Sequence, residues 1–341
     1  MGFTISTDAP STAEPVAGPP PLITPWLSLY DTAPFRLQLL GITGAGKTTL
    51  IGELAKYLFQ ERRQRTLLYL IDRGSPASIQ ALIDANIIIQ IPRGDRDPFV
   101  FADRAARGQL PRQGKWAEIP KELDIGLVAF DSATGIGEEQ LETMRESVTT
   151  NNPIGQKGYS FVIEDESYKD SVKVGTLDGT HYGISQARIT SAMWESQALP
   201  YNLIWTANLR GNSSEAIRPN QAPKKLTALG ADLGGRALIE ISPRWFQYTW
   251  TLRKVSVHGQ AARRILHLDS YLDPDQQVPV VGNCRLPLEG AEIAPVPASI
   301  EPASLVQAFS VIGRRQLAAK EVIAALGVTQ DDLDLRKRLG L

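Results

Sequence analysis

The chain has 341 residues, 43% hydrophobic and 21% charged, a composition that supports one large folded core with a small appendage and excludes global disorder. Its 36 Lys and Arg against 37 Asp and Glu give a net charge of −1, so no overall field draws it to nucleic acid or to an anionic membrane. A single cysteine, Cys284, and three histidines, His181, His258 and His267, exclude an intrachain disulfide framework and offer no zinc-like spacing.

Residues 1–34 are rich in Pro, Ser, Thr and Ala and predict a flexible N-terminal arm. The patch Trp26, Leu27, Leu29 and Tyr30 is its apolar exception, suited to docking on its own domain or on a neighbouring subunit. Asp8 and Glu14 stand where a basic leader region would be needed, and no apolar run approaches the ~18 residues of a bilayer span. The expectation is a cytoplasmic protein that is neither exported nor membrane-embedded.

From Phe35 short apolar runs alternate with helical periodicity, the βαβ pattern of an α/β fold with a mostly parallel central sheet. Strands are predicted at 37–40, 66–71, 87–91, 125–130 and 201–206. Helices are predicted at 48–65, 78–86, 138–148 and 182–198. In the last of these Tyr182, Ile189 and Met193 share a side, and both Tyr182 and Trp194 are expected to pack in the core. Residues 245–257 alternate more evenly and read as part of an antiparallel edge or hairpin with 264–268. The polar stretches 93–122 and 151–180, the second with the acids Glu164, Asp165 and Glu166, read as insertions or functional loops. The core thus covers 35–277, a Pro-rich linker 278–302, and a small helical region 303–341, with short helices expected at 303–312, 316–326 and 330–339.

Gly41-Ile42-Thr43-Gly44-Ala45-Gly46-Lys47-Thr48 fits G-x-x-x-x-G-K-[ST] without a mismatch, between a predicted strand and a predicted helix. Glycines at 41, 44 and 46 let the backbone curl so that amides point inward, and the start of the helix adds its positive end. Lys47 is placed for the β- and γ-phosphates, Thr48 for Mg²⁺ and Thr49 for the α-phosphate. Mg²⁺-ATP is the expected ligand, held by Gly41, Thr43, Gly44, Ala45, Gly46, Lys47, Thr48 and Thr49. Such a site needs a carboxylate to orient the metal. Asp131, at the end of the apolar run 127–130, supplies it, the competing reading being an N-cap for the helix at 138–148, from which several residues separate it.

With these residues in view, the chain resembles the RecA-like ATPases, and especially phage-encoded RecA-like or AAA-type ATPases associated with recombination and single-strand annealing. The resemblance covers roughly residues 35–268. Beside the phosphate loop, it rests on Asp131-Ser132 after an apolar strand, on the run 201–210 ending in Asn208 and Arg210, and on Gly234-Gly235-Arg236-Ala237-Leu238. It implies that Asn208 senses the γ-phosphate, and that 211–232 is a mobile loop facing the axis of a homo-oligomer, ring or filament. That loop, with Arg210, Arg218, Lys224 and Lys225 against Glu215 and Asp232, suits single-stranded DNA backbone contacts, or is simply solvated surface. Phage recombination proteins in a host cytoplasm are the implied partners.

One departure stands out. The family places a water-polarising glutamate just after the second strand, where this chain has Asp72-Arg73-Gly74; Asp72 is the expected substitute, Glu164, Asp165 and Glu166 are alternatives, and slow turnover is a third outcome. Lys224, Lys225, Arg236 and Arg244 are candidates for a cation supplied in trans. The competing function is a nucleotide-switched scaffold that clamps ATP with little turnover; a helicase or packaging motor is a further one.

Overall fold

The structure is a computed structural model that describes residues 29–72, 76–112, 114–151, 160–165, 170–175, 179–213, 226–233, 237–256, 261–275, 277–285 and 296–325. We number the strands of its main sheet β1 (Arg36–Gly41), β2 (Arg65–Leu70), β3 (Ile88–Pro92), β4 (Ile125–Asp131), β5 (Asn202–Ala207), β6 (Tyr248–Val255), β7 (Arg263–His267), β8 (Asn283–Cys284) and β9 (Ser299–Ile300). The order across the sheet is β9-β7-β6-β1-β5-β4-β2-β3, with β8 paired to β6. From β6 to β3 every pairing is parallel, and β7, β8 and β9 add an antiparallel margin. The run 245–257 forms the expected antiparallel hairpin with β7, and β6 also pairs parallel with β1 on its other side, so it is not the edge of the sheet.

The larger helices are α1 (Lys47–Arg62), α2 (Pro98–Ala106), α3 (Ala133–Asn151), α4 (Gly179–Ser196) and α5 (Leu305–Ala325). They cover both faces of the sheet, which is why β1, β2, β4 and β5 read as mostly apolar runs, with the buried Gln38, Thr66 and Thr206 as polar interruptions. On one face Leu37, Leu39 and Trp250 pack against Leu54 of α1 and Phe309 of α5. On the other, Tyr69, Phe130 and Trp205 occupy one row across β2, β4 and β5, with ring centroids 5.3 and 4.0 Å apart, under α2, α3 and α4. Each such buried side chain contributes about 1.5–3 kcal/mol relative to exposure. Leu29 and Tyr30 of the apolar patch join the first core, while Trp26 and Leu27 lie outside the described residues.

Several local expectations are corrected. The helix expected at 78–86 is a 3₁₀ turn, Ala77–Ile79, followed by a short helix, Gln80–Asp84. The stretch 93–122 is ordered: Asp97 accepts from the Val100 amide at 2.8 Å with Pro98 at the first turn, which starts α2, and a hairpin pairs Gln109–Arg112 with Lys115–Glu118. In 151–180 a hairpin pairs Ser160–Asp165 with Asp170–Gly175. The segments 303–312 and 316–326 merge into the single helix α5, and 330–339 lies outside the described residues. On α4, Ile189 and Met193 are buried as expected, but Tyr182 is 39% and Trp194 56% exposed, because the helix turns them away from the sheet. Among the described residues no helix is long and apolar enough to cross a membrane.

Candidate functional site

The phosphate loop joins the end of β1 to the start of α1, at the carboxyl edge of the parallel strands, where open sheets form their crevice. Gly41 runs so close to β6 that a Cβ would stand 2.7 Å from the Leu252 carbonyl oxygen. Gly44 and Gly46 have φ of 75° and 107°, the left-handed region that glycine adopts without strain. Gly46 precedes α1 and no side chain caps it, so the first-turn amides and the positive helix end face the loop.

Lys47 is buried within this cradle. Its ammonium donates to the Gly41 carbonyl at 2.8 Å and to Asn208 Oδ1 at 2.9 Å. Burial lowers its pKa, while the nearby Asp131 and Asp72 carboxylates push it back up. The Thr48 hydroxyl donates to Asp131 Oδ2 at 2.6 Å, and the Thr206 hydroxyl donates to the other oxygen of the same carboxylate. Asp131 thus has both oxygens oriented from two different elements.

Asp72 lies beside this pair. Ser132 donates to Asp72 Oδ2 at 2.9 Å, and the Ile71 amide reaches the Asp131 carbonyl at 2.7 Å, tying the ends of β2 and β4 together. Burial raises the Asp72 pKa and the Asp131 charge adds to this, against the lowering effects of the Ser132 bond and Lys47. The Asp131–Ser132 peptide is cis. On the next strand the Asn208 amide donates to Thr134 Oγ1 and the Thr134 hydroxyl to the Asp232 carbonyl, both at 2.8 Å. Asn208 therefore touches the phosphate loop through its side chain and α3 through its backbone.

These groups line a cleft of about 340 Å³ bounded by Thr43, Gly44, Gly46, Lys47, Thr48, Thr49, Asp72, Asp131, Ser132, Asn208 and Arg264. A glycine-rich loop leading into a helix start, a buried ammonium and adjacent hydroxyl and carboxylate oxygens suit a polyphosphate with a hard divalent cation. The Thr48 hydroxyl and the Asp131 carboxylate are hard oxygen donors of the kind a divalent cation takes.

The segment between β1 and α1 has the sequence and the backbone geometry of a P-loop. In sequence, the chain is 28% identical over 166 residues to the signal recognition particle 54 kDa protein of Saccharolobus islandicus (strain L.S.2.15 / Lassen #1), covering 44% of this chain and 35% of that protein. The protein of the same name from Acidianus ambivalens is 27% identical over 174 residues, covering 45% and 36%. The chain thus spans about a third of the length of these curated relatives. Among solved structures, the RadB recombinase superposes with a TM-score of 0.37 at 10% identity, over 73% of this chain and 91% of that one. No protein-family model matches.

The structure brings Lys47, Thr48, Thr49, Asp72, Asp131 and Asn208 to one cleft, although Asp72, Asp131 and Asn208 come from three separate strand ends. Gly41 and Ala45 contribute carbonyls that hold Lys47 and Arg264. The argument that a gap separates Asp131 from the following helix fails, since α3 begins at Ala133; its carboxylate nevertheless bonds Thr48 and Thr206. The segment 211–232 is not a loop throughout, because Leu209–Ser213 pairs with Leu226–Ala231 as a hairpin. Arg210 lies at its base, half exposed and paired with Asp232 at 3.1 Å. Arg218, Lys224, Lys225, Arg236 and Glu166 lie outside the described residues. Arg264, Thr134 and Thr206 escape the sequence reading, and Ser132 enters it only as the residue after Asp131; of the first three only Thr206, two positions before Asn208 at the end of β5, carried a local signal.

Proposed function

We propose that the chain binds Mg²⁺-ATP in this cleft, hydrolyses it, and couples the reaction to single-stranded DNA as a homo-oligomer, in the manner of RecA-like ATPases that assist phage recombination. The observation that carries the nucleotide half is the meeting of Lys47, Thr48, Asp131 and Asn208 around the mouth of one amide-lined loop. The cation supplies charge neutralisation on the phosphate oxygens. Thr48 and Asp131 would hold it when it is bound. Lys47 exchanges its carbonyl and amide partners for the terminal phosphates, and Asn208, released from Lys47, reports the state of the γ-position to α3 and the hairpin. Asp72, the other carboxylate of the cleft, orients the attacking water.

The DNA half is supported by the position of the hairpin Leu209–Ser213/Leu226–Ala231, which starts immediately after Asn208 and has the basic sequence 218–225 between its strands. A second reading, a nucleotide-switched scaffold with slow turnover, is favoured by one feature: Asp72 is already bonded to Ser132, and a Cβ on Gly135 would stand 2.1 Å from its Oδ1, so its freedom to activate water is restricted. Steady-state ATP hydrolysis with and without single-stranded DNA separates the two. Stimulation by DNA supports the motor, whereas tight ATP binding with negligible turnover in either condition supports the switch.

A further inference from the structure

Arg264 belongs to β7, two strands from the phosphate loop, yet its side chain reaches the cleft. Its Nε–H donates to the Ala45 carbonyl at 3.0 Å, and a Cβ on Gly46 would stand 3.1 Å from Nε and 3.4 Å from Cζ, so the guanidinium lies directly against the loop. The Ala303 amide donates to the Arg264 carbonyl at 2.9 Å, which fixes the backbone from which the side chain departs. The residue is exposed, and among the described residues no carboxylate pairs with it.

The sheet order gives the cleft a direction. Asn208, Asp131 and Asp72, which mark the terminal-phosphate end together with Lys47, all follow or end strands on the β5-β4-β2 side of β1. β6 and β7 lie on the opposite side of β1. A triphosphate held with its terminal group at Lys47 therefore points its nucleoside end toward Arg264. Among the described residues no aromatic side chain lines the cleft, so the guanidinium is the planar surface available to a base there.

Resting on the nucleotide reading above, we propose that Arg264 is the nucleobase platform of the site: tethered through Nε to Ala45, it presents the face of its guanidinium to a purine. Stacking of this kind reads ring area and not the pattern of donors and acceptors on the base edge. The cleft accordingly accepts adenine and guanine nucleotides alike, and cytosine nucleotides less well.

The test is the Mg²⁺-dependent affinity of the 341-residue chain and of its Arg264→Ala and Arg264→Lys variants for ATP, GTP, CTP and inorganic tripolyphosphate, measured by titration calorimetry. Arg264→Lys keeps the charge, removes the plane, and serves as the measurement if the alanine variant folds poorly. The expected result is a loss of about tenfold for ATP and GTP in both variants, with tripolyphosphate unchanged. An equal loss for tripolyphosphate makes Arg264 a phosphate or loop-shaping cation and overturns the platform, as does wild-type ATP affinity in Arg264→Lys. Tripolyphosphate binding by the wild type without any gain from a base also overturns the platform while leaving the phosphate loop standing. Failure of the wild type to bind any of the four ligands removes the nucleotide reading itself, and the platform with it.

Discussion

The Thr48 hydroxyl donates to the Asp131 carboxylate at 2.6 Å, joining the first turn of α1 to the end of β4 across 83 positions of sequence. Two oxygens that can share a divalent cation are thereby set side by side by strand order alone. Replacing Asp131 by Ala is expected to depress Mg²⁺-dependent turnover by two or more orders of magnitude, roughly the scale of losing an electrostatic partner of the transition state. Nucleotide affinity in the absence of Mg²⁺ changes much less, and a parallel collapse of both quantities argues against the metal role.

Lys47 is the ammonium at the centre of the loop, and its present partners are the Gly41 and Ile42 carbonyls and the Asn208 amide oxygen. Lys47→Ala is expected to weaken ATP binding by about one to two orders of magnitude, the worth of charge-assisted hydrogen bonds to phosphate. Fluorescent-nucleotide titration measures it, and equal affinity in the two proteins contradicts the assignment.

Asp72 gives a prediction with a definite pH sign. Its folded pKa is raised above the ordinary 3.8, chiefly by burial, so the folded state holds the proton more tightly than the unfolded chain. Stability therefore falls as pH rises from 3.8 through the folded pKa, and the full penalty is present above the folded pKa. Asp72→Asn is expected to be more stable than wild type at pH 7.5, by about 1 kcal/mol as for other relieved functional sites, with the advantage fading as the pH falls toward 4. The same variant is expected to lose at least about tenfold in kcat with KM little changed. Thermal melts at the two pH values and steady-state turnover check both halves.

Phe130 stacks against Trp205 at 4.0 Å and Tyr69 at 5.3 Å in the centre of the sheet. Phe130→Ala is expected to cost about 3–5 kcal/mol, since the row is fully buried and cannot close over the cavity. Urea denaturation measures the loss; a cost under 1 kcal/mol is incompatible with this packing.

For the basic segment between the hairpin strands, replacing Lys224 and Lys225 together by Ala is expected to weaken single-stranded DNA binding. It should also reduce the slope of log affinity against log salt by roughly 1 to 1.5, about 0.7 per lost phosphate contact. An unchanged slope in a filter-binding series removes these lysines from the interface.

The amino-acid sequence by itself determined the phosphate loop, because a curled backbone that offers amides to phosphate requires glycines at 41, 44 and 46 and the following Lys47 and Thr48 in immediate succession. It also determined the parallel core, since strands buried on both faces must read as apolar runs. Asp131 was legible for the same reason: it ends such a run, and strand ends face the crevice; Asp72 and Asn208 were singled out only through the resemblance to RecA-like ATPases. Only the tertiary structure decided which of them meet. The Lys47–Asn208 contact and the double bonding of Asp131 by Thr48 and Thr206 depend on the order β1-β5-β4-β2, which local periodicity does not encode. Arg264 is the plainest case. An arginine beside Arg263 on a strand of the antiparallel margin has no sequence signature, and it enters the cleft because β6 pairs parallel with β1 and carries β7 back beside the loop. Likewise Tyr182 and Trp194 look like core residues by type, but which side of α4 faces the sheet was settled by the packing of α2 and α3 against it.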